Sequence, residues 1–181
     1  MTVTTPLILV ARPGAGAVAV AYAQGHCNEG VWCAFRTGRD TVRAMDLMYT
    51  AVATARGGRE GEVVSDDGVL DLLLSMPKEM GGPGGDFTNP EQLFAAGYSA
   101  CFHSAIKRVA SGEKLDVTGS SITAHVGLGK DGTAVGLAVT LVGAFPALSG
   151  PEGQELMEKA HQMCPYSRAT QGNIEVTLTV G

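Results

Sequence analysis

Apolar residues recur at helical spacing through residues 89–109, at Leu93, Phe94, Tyr98, Phe102, Ala105 and Val109. Thr88 and Asn89 are both good N-cap residues, Pro90 suits a first helical position, and Glu91 places an acid in the first turn. Ala95, Ala96, Gly97, Ser99 and Ala100 are small, so bulky groups can approach the helix closely. Little charge lies between Glu91 and Lys107. The pattern predicts a helix buried on most of its surface and ending near Gly112.

Elsewhere the period shortens towards two. Tyr49–Ala55, Glu62–Ser65 and Val69–Ser75 read as strands, separated by the glycine-rich turn at 57–61 and the Asp66-Asp67-Gly68 turn. Four glycines and two prolines make residues 76–88 a loop. Ser120–Leu128 and Thr133–Val142 flank a hairpin turn at 129–132. Ser149 and Glu152 have capping-box spacing for a second helix with Leu156, Met157, Ala160 and Met163 on one face. Pro165 ends that helix at Cys164. The segment 173–180 alternates, with Ile174, Val176, Leu178 and Val180 inward. The order β-β-β-α-β-β-α-β predicts an α+β fold with an antiparallel sheet. One six-stranded sheet covers only one side of an apolar central helix, so a partner subunit is expected.

Residues 1–46 do not share this periodicity and read as an irregular appendage to a domain at 47–181. Within 1–44, four arginines against Glu29 and Asp40 give +2, leaving −7 of the total −5 for the remainder. Cys27 and Cys33 lie there, at a spacing that matches no metal motif. With 181 residues, 45% hydrophobic and 17% charged, the chain suits one globular domain. Its acidic balance argues against nucleic acid and anionic membranes as partners. No apolar run is long enough to span a membrane. The start lacks a basic n-region and breaks at Arg12-Pro13-Gly14, so a cytoplasmic protein is expected.

Cys101 and Cys164 lie in the ordered region. A thiol reacts as thiolate, which nearby positive charge favours. Cys164 falls at a helix C-terminus, whose dipole opposes ionisation. Cys101 is too deep in its helix to gain from the N-terminal dipole. A reactive Cys101 therefore needs a cation from another segment. His103, two residues on, points to roughly the opposite face. On spacing alone, the better reading is that both cysteines are inert small hydrophobes. On the same basis Arg59 is a solvated turn residue. Glu91 is equally well a carboxylate complementing the helix dipole. His26, His103, His125 and His161 form no zinc spacing, so no metal is expected. The glycines at 81–85 form no nucleotide loop.

NPEQLFAAGYSACF, AHQMCPYSRATQGNI, GGREG and VLDLLLSMPKEMGGPGG closely resemble the organic hydroperoxide resistance proteins of the OsmC/Ohr superfamily, from about Tyr49 to the C-terminus. The resemblance implies an intertwined homodimer that wraps antiparallel sheet around its buried central helices. It implies a cysteine-based peroxidase without a bound cofactor. Matched residue by residue, ACF places the peroxidatic cysteine at Cys101 and CPYS the resolving cysteine at Cys164. GGR places the activating arginine at Arg59, and NPEQ its acidic partner at Glu91. The expected substrates are organic hydroperoxides, fatty-acid hydroperoxides included. The expected reductant is a dithiol such as a lipoylated protein or dihydrolipoamide. Leu93, Phe94, Tyr98 and Phe102 are candidates for the apolar lining. Two other readings are an apolar-ligand-binding dimer without turnover and a thiol redox sensor.

Overall fold

A computed structural model describes residues 46–132 and 134–181. Cys27, Cys33, His26 and the appendage expected at 1–46 fall outside the described residues, apart from Asp46. The chain divides between Leu47 and Met48, and the fold below is that of the second unit.

Three short strands come first: β1 (Ala53–Arg56), β2 (Glu62–Ser65) and β3 (Asp71–Leu73), in an antiparallel sheet of that order. Both outer strands are shorter than the apolar pattern implies. Pairing is limited by β2, whose four residues end where Ser65 turns at Asp66. Val69 and Leu70 belong to that turn instead of β3, with the Leu70 amide donating to Ser65 Oγ at 2.9 Å. The long loop then closes on itself. The Thr88 amide donates to the Leu73 carbonyl and the Ser75 amide to the Thr88 carbonyl.

That closure delivers Asn89 to the start of α1 (Pro90–Glu113). Asn89 Oδ1 accepts from the Gln92 amide at 2.9 Å and Pro90 takes the first turn, as the sequence predicts. The C-terminus departs from expectation by a residue or two. Gly112 stays inside the helix, and Lys114 takes the left-handed conformation at φ 58°. The Leu115 amide then bonds the Ala110 carbonyl while its side chain packs against the core. This reverse turn with an apolar contact outweighs the glycine as a stop signal.

The second sheet holds β4 (Ser121–Asp131), β5 (Ala134–Ala144) and β6 (Glu175–Val180). Here β4 and β5 pair from Ser121↔Ala144 to Asp131↔Ala134. The connection is thus shorter than expected, and Gly129, Lys130 and Asp131 belong to the strand. Between β5 and β6 run α2 (Gly150–Met163) and a short helix that the sequence reading missed, α3 (Pro165–Thr170). The Glu152 carboxylate accepts from the Ser149 amide at 2.9 Å, fixing the start of α2. A helical crossover of this length returns the chain in the same direction, so β6 lies parallel to β5, not antiparallel. The α+β class holds, with every other strand pair antiparallel. The described strands form two three-stranded sheets, not the single six-stranded sheet expected.

The core forms where α1, α2 and the second sheet meet. Tyr98, Phe102, Ile106, Leu141, Leu156, Met157 and Cys164 are fully enclosed there. Met163, expected on the inner face of α2, points outward and Cys164 turns inward instead. Only one face of α1 is covered, because the second sheet and α2 lie on one side of it. Ala96, Ala100, Ser104 and Lys107 remain exposed on the other, so burial over most of its surface is not met in the single chain. Every residue of β1 is exposed as well. Among the described residues, no helix is long and apolar enough to cross a membrane.

Candidate active site

Cys101 lies in the fourth turn of α1 and Cys164 at the junction of α2 and α3, yet their sulfurs are 3.6 Å apart. Both are free thiols. Cys164 is fully enclosed, whereas Cys101 is half-buried, so reagents from solvent reach Cys101 first. Pro165 builds this junction twice over. It stops α2 at the preceding residue and supplies the pre-set φ of the first position in α3. Cys164 is therefore at once the C-cap of α2 and the N-cap of α3. Helix ends of both signs meet there, so the dipole of α2 no longer singles it out.

Burial pushes the Cys101 thiol up. The Tyr166 backbone amide, directed at its sulfur, pulls the other way, and the neighbouring Cys164 adds to the rise. Thiolate formation at Cys101 thus meets a desolvation cost that one backbone donor only partly offsets.

Arg59 and Glu91 form a second constellation, 32 residues apart in sequence. Both terminal guanidinium nitrogens donate to the Glu91 carboxylate at 2.7 Å, a bidentate pair. The Arg59 side chain is 35% exposed and that of Glu91 15%. The hydrogen bonds from Arg59 hold the Glu91 carboxyl below its ordinary value, against a smaller opposing effect of burial. The turn that carries Arg59 depends on close backbone approach. A Cβ on Gly61 would stand 1.8 Å from the Arg56 carbonyl oxygen, so only glycine fits there. Among the described residues no hydrogen bond joins Arg59 to Cys101. The structure brings together Cys101 with Cys164, and Arg59 with Glu91, as two separate pairs.

Of the four candidate lining residues, Leu93 and Phe94 are half-buried, and Tyr98 and Phe102 are wholly enclosed. Tyr98 donates its hydroxyl hydrogen to Ser167 Oγ at 2.9 Å and lies 3.4 Å from Thr170 Oγ1. Its ring meets Phe94 edge-on at 5.8 Å and Phe102 at 6.4 Å. It pins α1 to α3 directly beside the cysteine pair. Ser167, Thr170 and Tyr166 carried no signal of their own in the sequence, since α3 was not foreseen. His161, packed 6.5 Å from Phe102, has a buried Nδ1 that finds no hydrogen-bond partner among the described residues, and burial holds its pKa down. His103 Nε2 is bonded to Ser120 Oγ at 3.0 Å, and burial, followed by Lys107, lowers its pKa. Among the described residues no three of His, Cys, Asp and Glu gather as a metal site.

The OsmC-like protein family matches residues 82–179. An organic hydroperoxide resistance protein of Xanthomonas axonopodis pv. citri is 56% identical over 135 residues, covering 74% of this chain and 95% of its own. The organic hydroperoxide resistance protein OhrB of Bacillus subtilis is 48% identical, covering 72% of this chain and 96% of its own. A crystal structure of an organic hydroperoxide resistance protein from Elizabethkingia anophelis superimposes with a TM-score of 0.71. It is 51% identical, over 76% of this chain and 99% of that one.

Proposed function

Because this chain belongs to the OsmC/Ohr superfamily, among its organic hydroperoxide resistance proteins, we propose that it is a thiol peroxidase protecting against organic hydroperoxides under oxidative stress. The observation that carries this reading is the 3.6 Å between the sulfurs of a half-buried and a fully buried free cysteine. The Cys101 thiolate attacks the distal peroxide oxygen. The O–O bond breaks, and the alkoxide takes a proton and leaves as an alcohol. Cys101 is then a sulfenic acid, oxidised by two electrons. The Cys164 sulfur attacks that sulfur, an S–S bond forms, and the hydroxyl departs as water with the Cys164 proton. A dithiol returns both cysteines to thiols and becomes a disulfide itself. A lipoyl group, on a protein or as dihydrolipoamide, is the dithiol proposed. No bound cofactor takes part in this scheme.

Arg59 is the activating cation in this reading. A guanidinium keeps its charge at any working pH, and Glu91 fixes its plane through two hydrogen bonds. Leu93 and Phe94 offer apolar surface to a bulky or fatty-acid hydroperoxide, while Tyr98 and Phe102 support that wall from within. The uncovered stripe of α1 and the exposed apolar residues Val52, Leu70, Leu73 and Phe87 fit coverage by a second copy in a homodimer. The setting proposed is the cytoplasm, where thiols stay reduced.

Steady-state consumption of an organic hydroperoxide with dihydrolipoamide tests the reading. Wild type is expected to turn over and Cys101→Ser to be inert. Stoichiometric binding of the peroxide without its reduction would overturn it.

A further inference from the structure

Cys101 and Cys164 belong to separate segments, and something must hold those segments close enough for their sulfurs to meet. Gly97 lies one helical turn before Cys101, on the same face of α1. A Cβ built at Gly97 would stand 3.1 Å from the Tyr166 hydroxyl oxygen and 3.3 Å from its Cε2, closer than side chains ordinarily pack. The Tyr166 ring therefore rests on bare helix backbone. Rings of Phe94 at 6.3 Å and Tyr98 at 5.7 Å flank it, and its remaining surface, 40% of the residue, faces solvent. Tyr166 follows Cys164 by two residues, through a proline whose ring fixes φ. A push on the ring away from α1 is thus carried back to Cys164.

We propose that Gly97 is a positioning residue for closure of the Cys101–Cys164 disulfide, its missing side chain letting Tyr166 seat on α1 and so setting the approach of Cys164 to Cys101. This rests on the disulfide chemistry proposed above. In that step the Cys164 sulfur displaces hydroxide from the Cys101 sulfenic sulfur, and the hydroxide takes the thiol proton to leave as water. The sulfurs must close from 3.6 Å to bonding distance, roughly 2.05 Å. A retreat of a few tenths of an ångström by the 164–166 segment lengthens that path appreciably. The same retreat loosens the Tyr166 amide from the Cys101 sulfur.

The test oxidises full-length protein with one equivalent of cumene hydroperoxide and quenches it over time with dimedone and an alkylating agent. Mass spectrometry then separates trapped sulfenic acid from disulfide. In wild type the disulfide is expected to form with little trapped sulfenic acid. In Gly97→Ala sulfenic acid is expected to accumulate and closure to slow by about tenfold, less than the roughly hundredfold of a 1 Å misplacement. Alanine is the better helix former, so the substitution does not threaten α1 itself. Adding Tyr166→Phe removes the nearest atom, and the double variant is expected to recover closure to within about threefold of wild type. Tyr166→Ala removes the seat while leaving α1 intact, and is expected to slow closure as Gly97→Ala does. Wild-type closure in Gly97→Ala or in Tyr166→Ala, or a double variant as slow as Gly97→Ala, would overturn the proposal. Absence of any Cys101–Cys164 disulfide in wild type would remove the underlying chemistry as well, a result distinct from the others.

Discussion

Tyr98 on α1 donates its hydroxyl hydrogen to Ser167 on α3 at 2.9 Å, wholly out of solvent and across 69 residues of sequence. This bond ties the helix that carries Cys101 to the segment that begins at Cys164. Tyr98→Phe keeps the ring and strands the buried Ser167 hydroxyl, so a loss of about 1–2 kcal/mol is expected. The midpoint of urea unfolding measures it. An unchanged midpoint would show the bond to be energetically neutral.

The two cysteines have unequal exposure and are expected to have unequal tasks. Cys101→Ser should abolish peroxide reduction. Cys164→Ser should consume about one equivalent of peroxide per site, then stall as sulfenic acid or climb to the irreversible sulfinic and sulfonic states. Mass spectrometry after a peroxide pulse identifies the oxidised residue. Full multiple turnover by Cys164→Ser with a dithiol would reverse the assignment.

Arg59→Ala is expected to raise the Cys101 pKa further and to slow peroxide attack strongly. Glu91→Ala should slow it less, since the cation remains and loses only its anchor. Alkylation rates across pH report the thiol titration. The same titration in wild type and Arg59→Ala would remove the activating role from Arg59.

The Arg59–Glu91 pair also gives stability a pH dependence. Hydrogen bonding to Arg59 holds the folded-state pKa of Glu91 below the ordinary 4.5. The unfolded chain therefore binds this proton more readily. The stabilisation is fully present above about pH 4.5 and is lost as pH falls through the lower, folded-state value. Glu91→Gln should flatten that part of the acid limb in thermal unfolding measured from pH 7 downwards. An unaltered acid limb would show that other carboxylates carry it.

A chain beginning at Met45 is expected to keep its oligomeric state and its peroxidase activity, because residues 1–44 differ from the remainder in charge and show no sustained periodicity. Sedimentation velocity and the peroxide assay check this. Loss of either property would make that segment part of the working protein.

Local physics made much of the fold legible. Asn89 and Pro90 start α1 because one side-chain oxygen and one fixed φ satisfy a helix terminus without help from distant residues. Ser149 and Glu152 do the same for α2, and the alternation through Ile174, Val176 and Leu178 marks β6 as a half-covered strand. The four proposed site residues are singled out by resemblance to a family, not by periodicity, which leaves both cysteines as ordinary core side chains. Tertiary structure decided the rest. Pro165 reads locally as a helix stop, and only packing of α3 under Tyr98 turned the same residue into a helix start. The parallel course of β6 beside β5 follows from where α2 and α3 lie across the sheet. The 3.6 Å between Cys101 and Cys164 spans 63 residues of chain, and no local rule encodes it. It depends on α1 and the α2–α3 junction packing against each other, a long-range contact that only the closed core fixes.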